Sequence, residues 1–104
     1  MTPARVRRIA LALPDAVEQD HHGFPSFRVG GRIFATLPDP EHLNVMLDEG
    51  EVHAMVAIHW ACCDALWWGK RLRGVRVTLA AATSHVVDEL LEEAWRRRAK
   101  PVRG

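Results

Sequence analysis

Hydrophobic and polar positions alternate with two different periods along the chain. Near the start, Val6, Ile9, Ala10 and Leu13 recur at helical spacing and would share one apolar face. Thr2 before Pro3 supplies a hydroxyl cap and a first helical position that needs no amide hydrogen. Pro14 closes the segment, because an interior proline removes a hydrogen bond and clashes with the preceding turn. Arg5 and Arg8 lie opposite the apolar face, with Arg7 to one side. Ala16 to His21 reads as extended. The period then falls to two: Ser26–Val29 and Arg32–Leu37 flank Gly30-Gly31, the pattern of a tight β-hairpin. Phe27 and Val29 would point to one side and Arg28 to the other. Pro38-Asp39-Pro40 predicts a turn, and Leu43, Val45 and Leu47 a third strand. Asp48 can cap a helix to about His59, with Val52, Met55, Val56 and His59 along one side. Ala65–Trp68 predicts a fourth strand, Lys70–Gly74 a connection, and Val75, Val77 and Leu79 a fifth strand alternating with Arg76 and Thr78. Thr83 or Ser84 opens a last helix whose core face is Val87, Leu90, Leu91, Ala94 and Trp95; Arg96 to Arg98 suit its C-terminal dipole.

The resulting order, α-β-β-β-α-β-β-α, predicts an α+β two-layer sandwich. One antiparallel sheet is covered on one face by the helices, and the other face carries Arg28, Arg76 and Thr78 towards water or a partner. The 104 residues fit a single domain, 1–104, with Ala99 to Gly104 reading as a free tail. Trp60 and Trp95 are expected in the core, together with at least one of Trp67 and Trp68.

Composition narrows the chemistry. No apolar run approaches the roughly 18 residues of a membrane span, and the first residues lack a signal-peptide core, so a cytoplasmic protein is expected. The formal charge is +1, so any attraction for polyanions must be local. Cations gather at Arg5–Arg8, at Lys70–Arg76 and at Arg96–Arg103; acids gather at Asp39–Glu51 and Asp88–Glu93. The adjacent Cys62 and Cys63 are a poor match for ordinary disulfide geometry and read as a reduced pair. His59, Cys62, Cys63 and Asp64 could ligate a metal, but zinc sites pair two such clusters and this chain has one. No pattern joins a nucleophile, a base and an oxyanion donor, and Gly30-Gly31 precedes no helix that could cradle a phosphate. No enzyme, metal, cofactor or membrane partner is expected.

The segment His22-Gly23-Phe24-Pro25-Ser26-Phe27-Arg28-Val29-Gly30-Gly31-Arg32-Ile33-Phe34-Ala35 resembles the hairpin motif of the MmcQ/YjbR family of small bacterial domains. Three further blocks resemble that family in the same order: Leu13-Pro14 before an acidic stretch, Trp67-Trp68-Gly69-Lys70, and Asp88 to Trp95. The resemblance implies a two-layer α+β fold comparable with frataxin-like proteins and type III secretion chaperones, and a DNA-binding role. An acidic first helix, which iron handling of the frataxin kind would need, is missing: the segment holds three arginines and no acid. Many relatives carry an aromatic after the basic pair of the third block, where this chain has Leu72.

Three functional readings follow. The first is DNA binding, mainly to phosphates, through Arg28, Arg32, Lys70, Arg71, Arg73 and Arg76. Trp67 and Trp68 next to this basic run give the mixture of aromatic and cationic groups that suits a strand. The second is a protein-binding adaptor that receives a partner segment on the open sheet face or an edge. The third is a small anionic-ligand pocket near His22, Arg28 and Trp68. His21 and His22 could serve as ligands, acid/base groups or a recognition pair, or one of them fixes the turn by a backbone hydrogen bond.

Overall fold

The computed structural model describes residues 1–99. Helix α1 spans Pro3–Leu11, and the Thr2 hydroxyl accepts the Arg5 amide at 3.2 Å, as the cap requires. Four strands follow: β1 (Val17–His21), β2 (Phe24–Val29), β3 (Arg32–Asp39) and β4 (His42–Met46). Helix α2 (Glu49–Ile58), β5 (Cys63–Trp68), β6 (Arg71–Thr78), a 3-10 turn (Leu79–Ala81) and α3 (Ser84–Ala99) complete the fold. The elements keep the expected order, and the extended segment before the hairpin is realised as edge strand β1. Ala99 closes α3; the rest of the expected tail, 100–104, lies outside the described residues.

All pairings in the six-stranded sheet are antiparallel, in the order β1-β2-β3-β4-β6-β5. One cross-strand row, Phe27–Ala35–Val45–Val75, is fully buried under the helices. Helix α3 packs on β2, β3 and β4, helix α2 on β5 and β6, and α1 on α3. Val6, Val52, Val87, Leu90, Leu91 and Ala94 fill the layer between. The next row, Gln19–Ser26–Thr36–Asn44–Arg76–Asp64, crosses the opposite face as a band of polar side chains. The helices therefore leave this face open, which is the surface available for function.

Several sequence expectations need correction. Strand β3 runs through Pro38 to Asp39, so the turn before β4 is Pro40-Glu41. Arg71 to Gly74 are not a connection but the first half of β6; the β5–β6 turn is only Gly69-Lys70, with Gly69 at φ +61°. Trp60 is 76% exposed, because it follows the end of α2 in a turn rather than facing the sheet. Trp67 and Trp68 are 55% and 54% exposed, because β5 is an edge strand with one flank uncovered. Trp95 does pack against the core, and its indole N–H donates to the Pro14 carbonyl at 2.9 Å.

Candidate functional site

Two β-bulges shape the open face. Between the pairs Phe27–Ala35 and Arg28–Ile33, β3 advances one residue more than β2, and Phe34 is the extra residue. Strict alternation would place Ile33 beside Ala35 under the helices; the bulge turns it to the open face instead. Between Leu66–Gly74 and Trp67–Leu72 the extra residue is Arg73 on β6. Its side chain is re-aimed in the same way, and its carbonyl accepts the Leu47 amide at 3.3 Å. Gly74 makes the close passage possible, since a Cβ there would collide with the Val45 carbonyl.

The result is a cavity of about 500 Å³ on the open face. Phe24, Ile33, Met46 and Trp68 supply apolar wall, and Thr36 and Asn44 a polar floor. Oδ1 of Asn44 is buried there without a hydrogen-bond partner. His21, Arg32, Arg73 and Arg98 complete the lining, which contains no carboxylate among the described residues. Arg73 holds its guanidinium 5.0 Å from the centroid of the Trp68 ring, a cation–π arrangement. Arg98 belongs to the last turn of α3 and reaches the cavity together with Arg32 and Arg73. Three guanidinium groups and an indole thus meet in one concave surface.

The fold brings some expected site residues together and separates others. Arg32, Arg73 and Trp68 line the cavity. Arg76 is exposed in the polar band, and Lys70 and Arg71 are exposed at the β5–β6 turn. Arg28 is half-buried outside the cavity wall; its Nε donates to the Ser26 hydroxyl at 3.1 Å, which in turn donates to the Gln19 carbonyl at 2.9 Å. Ser26 is thus the arginine's hydrogen-bond partner. His22 sits in the β1–β2 turn at φ +54° and lies outside the wall; its neighbour His21 lines the cavity, with edge-to-face contacts to His22 and Phe24. Asn44 was readable from its place between Leu43 and Val45. Ile33 had no such signal, because the bulge resets the alternation, and Arg98 had none beyond its charge.

Three arginines elsewhere are held in ion pairs, while Arg5 and Arg8 of α1 have no carboxylate within 4.0 Å among the described residues. Arg7 meets Glu18 at 2.6 Å, Arg96 meets Glu92 and Glu93, and Arg97 meets Asp48, Glu51 and Glu93. None of Arg28, Arg32, Lys70, Arg71, Arg73, Arg76 and Arg98 has a carboxylate within 4.0 Å among the described residues.

Metal-capable groups lie apart from this surface. Asp39, Glu41 and His42 converge within 4.8 Å at the β3–β4 turn. Hydrogen bonds from the Glu41 amide and the His42 ring occupy the Asp39 carboxylate, and hold its pKa below the ordinary value. Cys62 and Cys63 are buried and free, their sulfurs 3.6 Å apart. Burial pushes the Cys63 thiol up to about 12, the wrong direction for a metal-binding or nucleophilic thiolate. No described helix is long and apolar enough to cross a membrane.

A family model described as YjbR matches residues 11–97. Among solved structures, the chain is similar to Deinococcus radiodurans protein DR2400, which carries a DUF419 domain. The identity is 21% and the TM-score 0.70, over 86% of this chain and 72% of that one. No curated protein matches the chain. At that identity the likeness to DR2400 concerns the fold.

Proposed function

The chain belongs to the YjbR family, and we propose that it binds nucleic acid on the open face of its sheet, mainly through phosphates. One observation carries this reading: Arg7, Arg96 and Arg97 are held in ion pairs, and the cations without a carboxylate partner among the described residues lie, apart from Arg5 and Arg8 of α1, on the open face, the β5–β6 hairpin and the end of α3. A net charge of only +1 then hides a local excess of unneutralised guanidinium groups. Polyanions gain affinity by releasing condensed counterions at such groups, and phosphate contacts position a strand without reading its sequence. Arg32, Arg73, Arg76, Lys70 and Arg71 provide these contacts, with Arg98 joining from α3 and Arg28 at the margin.

Fluorescence anisotropy of a labelled oligonucleotide, titrated at salt concentrations from about 50 to 200 mM, tests the proposal. The expected result is binding at low salt that weakens linearly in log–log form. No binding at the lowest salt, or an affinity indifferent to salt, overturns it.

A further inference from the structure

We infer that the cavity on the open face is a single-nucleotide pocket: an unpaired strand delivers one base into it, stacked against Trp68, while the flanking phosphates sit on Arg32, Arg73 and Arg98. The inference rests on the nucleic-acid reading above and commits it to a single strand. Three observations lead there. The first is shape. Phosphate contacts alone need only cations within reach of a backbone, yet these arginines surround a hollow of about 500 Å³, within the range of roughly 300–1,000 Å³ typical of small-molecule sites. A duplex edge cannot enter such a hollow, whereas an unstacked base can.

The second is the lining. An indole that is 54% exposed on an edge strand leaves ring surface uncovered, and its apolar neighbours Ile33 and Met46 continue that surface inward. Base–aromatic stacking tolerates any base, since every base has a π-face. Arg73 already lies over the Trp68 ring, so the stacking surface and a phosphate ligand are adjacent. The third is the floor. Asn44, half-buried beside Thr36, lines the cavity with its Oδ1 buried and without a partner, so its carboxamide has hydrogen-bonding capacity left for a base edge once the amide turns towards the cavity. Among the described residues no carboxylate lines the wall to repel the phosphates.

A free nucleotide would meet the same chemistry, so the test separates the two sources. Binding is measured by anisotropy for oligothymidylate of about 12 nucleotides, for a duplex of that length, for a sugar–phosphate strand lacking bases, and for adenosine monophosphate as competitor. Trp68→Leu is compared with Trp67→Leu, an equally exposed neighbour on the same strand that lies outside the cavity. The single strand should bind at least 10-fold tighter than either the duplex or the base-free strand. Trp68→Leu should cost roughly 5- to 100-fold for the single strand and under 2-fold for the base-free strand. Trp67→Leu should leave both within 2-fold. A duplex or base-free strand that binds as tightly as oligothymidylate overturns the pocket while leaving phosphate binding intact. Equal losses from the two tryptophan variants also overturn it. A mononucleotide that binds as tightly as the strand assigns the cavity to a free metabolite instead. Failure of every nucleic acid to bind removes the broader proposal with it.

Discussion

Two glycines of this chain do opposite things. Gly74 passes so close to the Val45 carbonyl that a Cβ would collide with rigid backbone, and this passage sits next to the bulge that presents Arg73. Gly50 lies in the first turn of α2 with nothing within 4 Å of an added Cβ. Gly74→Ala should therefore destabilise the fold by about 1–3 kcal/mol, the usual range for overpacking. Gly50→Ala should stabilise it by about 0.5–1 kcal/mol through the helical preference of alanine. Urea denaturation of both variants checks the pair. The Cys62–Cys63 step is a second residue-scale case. Burial, with the neighbouring thiol adding to it, raises Cys63 to about 12, so the fold favours the neutral thiol. A raised folded pKa means that the associated stability is complete below the ordinary thiol value and is lost as pH climbs towards 12. The melting temperature should fall above about pH 9, and Cys63→Ala should flatten that fall. Iodoacetamide at pH 8 should label neither cysteine of the native protein on the timescale at which both react in urea. Rapid native labelling of Cys63 would contradict its buried, protonated state.

The elements themselves were largely legible, because each is specified by local chemistry. Thr2 and Thr83 accept the capping amides of Arg5 and Val86. Val87, Leu90, Leu91 and Ala94 form the fully buried stripe of α3 that their spacing implies. Gly30 and Gly31 both take positive φ, which is what a two-residue hairpin turn demands. What stayed hidden depends on pairing between strands. A bulge changes which face a residue occupies without changing the residues on either side of it, so the placement of Ile33 and Arg73 is set by partner strands and not by their own pattern. The tryptophans failed for a related reason. Hydrophobic character argues for burial, but β5 lies at the end of the sheet order, and its exposure is a property of the topology. The candidate site draws most on these hidden features: two bulges, an edge strand and the far end of α3 form it together. Sequence reasoning named Arg32 and Arg73 as phosphate contacts and grouped Trp68 with His22 and Arg28 as a pocket; the fold places Arg32, Arg73 and Trp68 around one hollow and His22 and Arg28 outside its wall. The β1–β2 turn instead leaves His21 as the histidine that lines the hollow.

Across the whole molecule, charge is sorted by surface. Arg7 of α1 is tied to Glu18 on β1, at one edge of the sheet, whereas Lys70 and Arg71 stand at the opposite edge. Four strands, β2, β3, β4 and β6, separate β1 from β5 in the sheet order, and the polar band of the open face crosses them. Of the cations without a carboxylate partner among the described residues, Arg32, Arg73 and Arg98 converge where the β2–β3 turn, the bulge of β6 and the end of α3 meet. This arrangement makes the electrostatics of binding a property of position and not of total charge. Removing one positive charge from the open face should differ from removing one elsewhere, although the net charge changes equally. Arg32→Ala and Arg73→Ala should each weaken binding across all strand sequences and reduce the slope of log affinity against log salt by about 1. Arg96→Ala removes a guanidinium already paired with Glu92 and Glu93, and should leave the slope unchanged. Anisotropy titrations at four or more salt concentrations, roughly spanning 50–200 mM, measure these slopes directly. If the three variants lowered the slope alike, net charge alone would govern the attraction, and the open face would lose its special status.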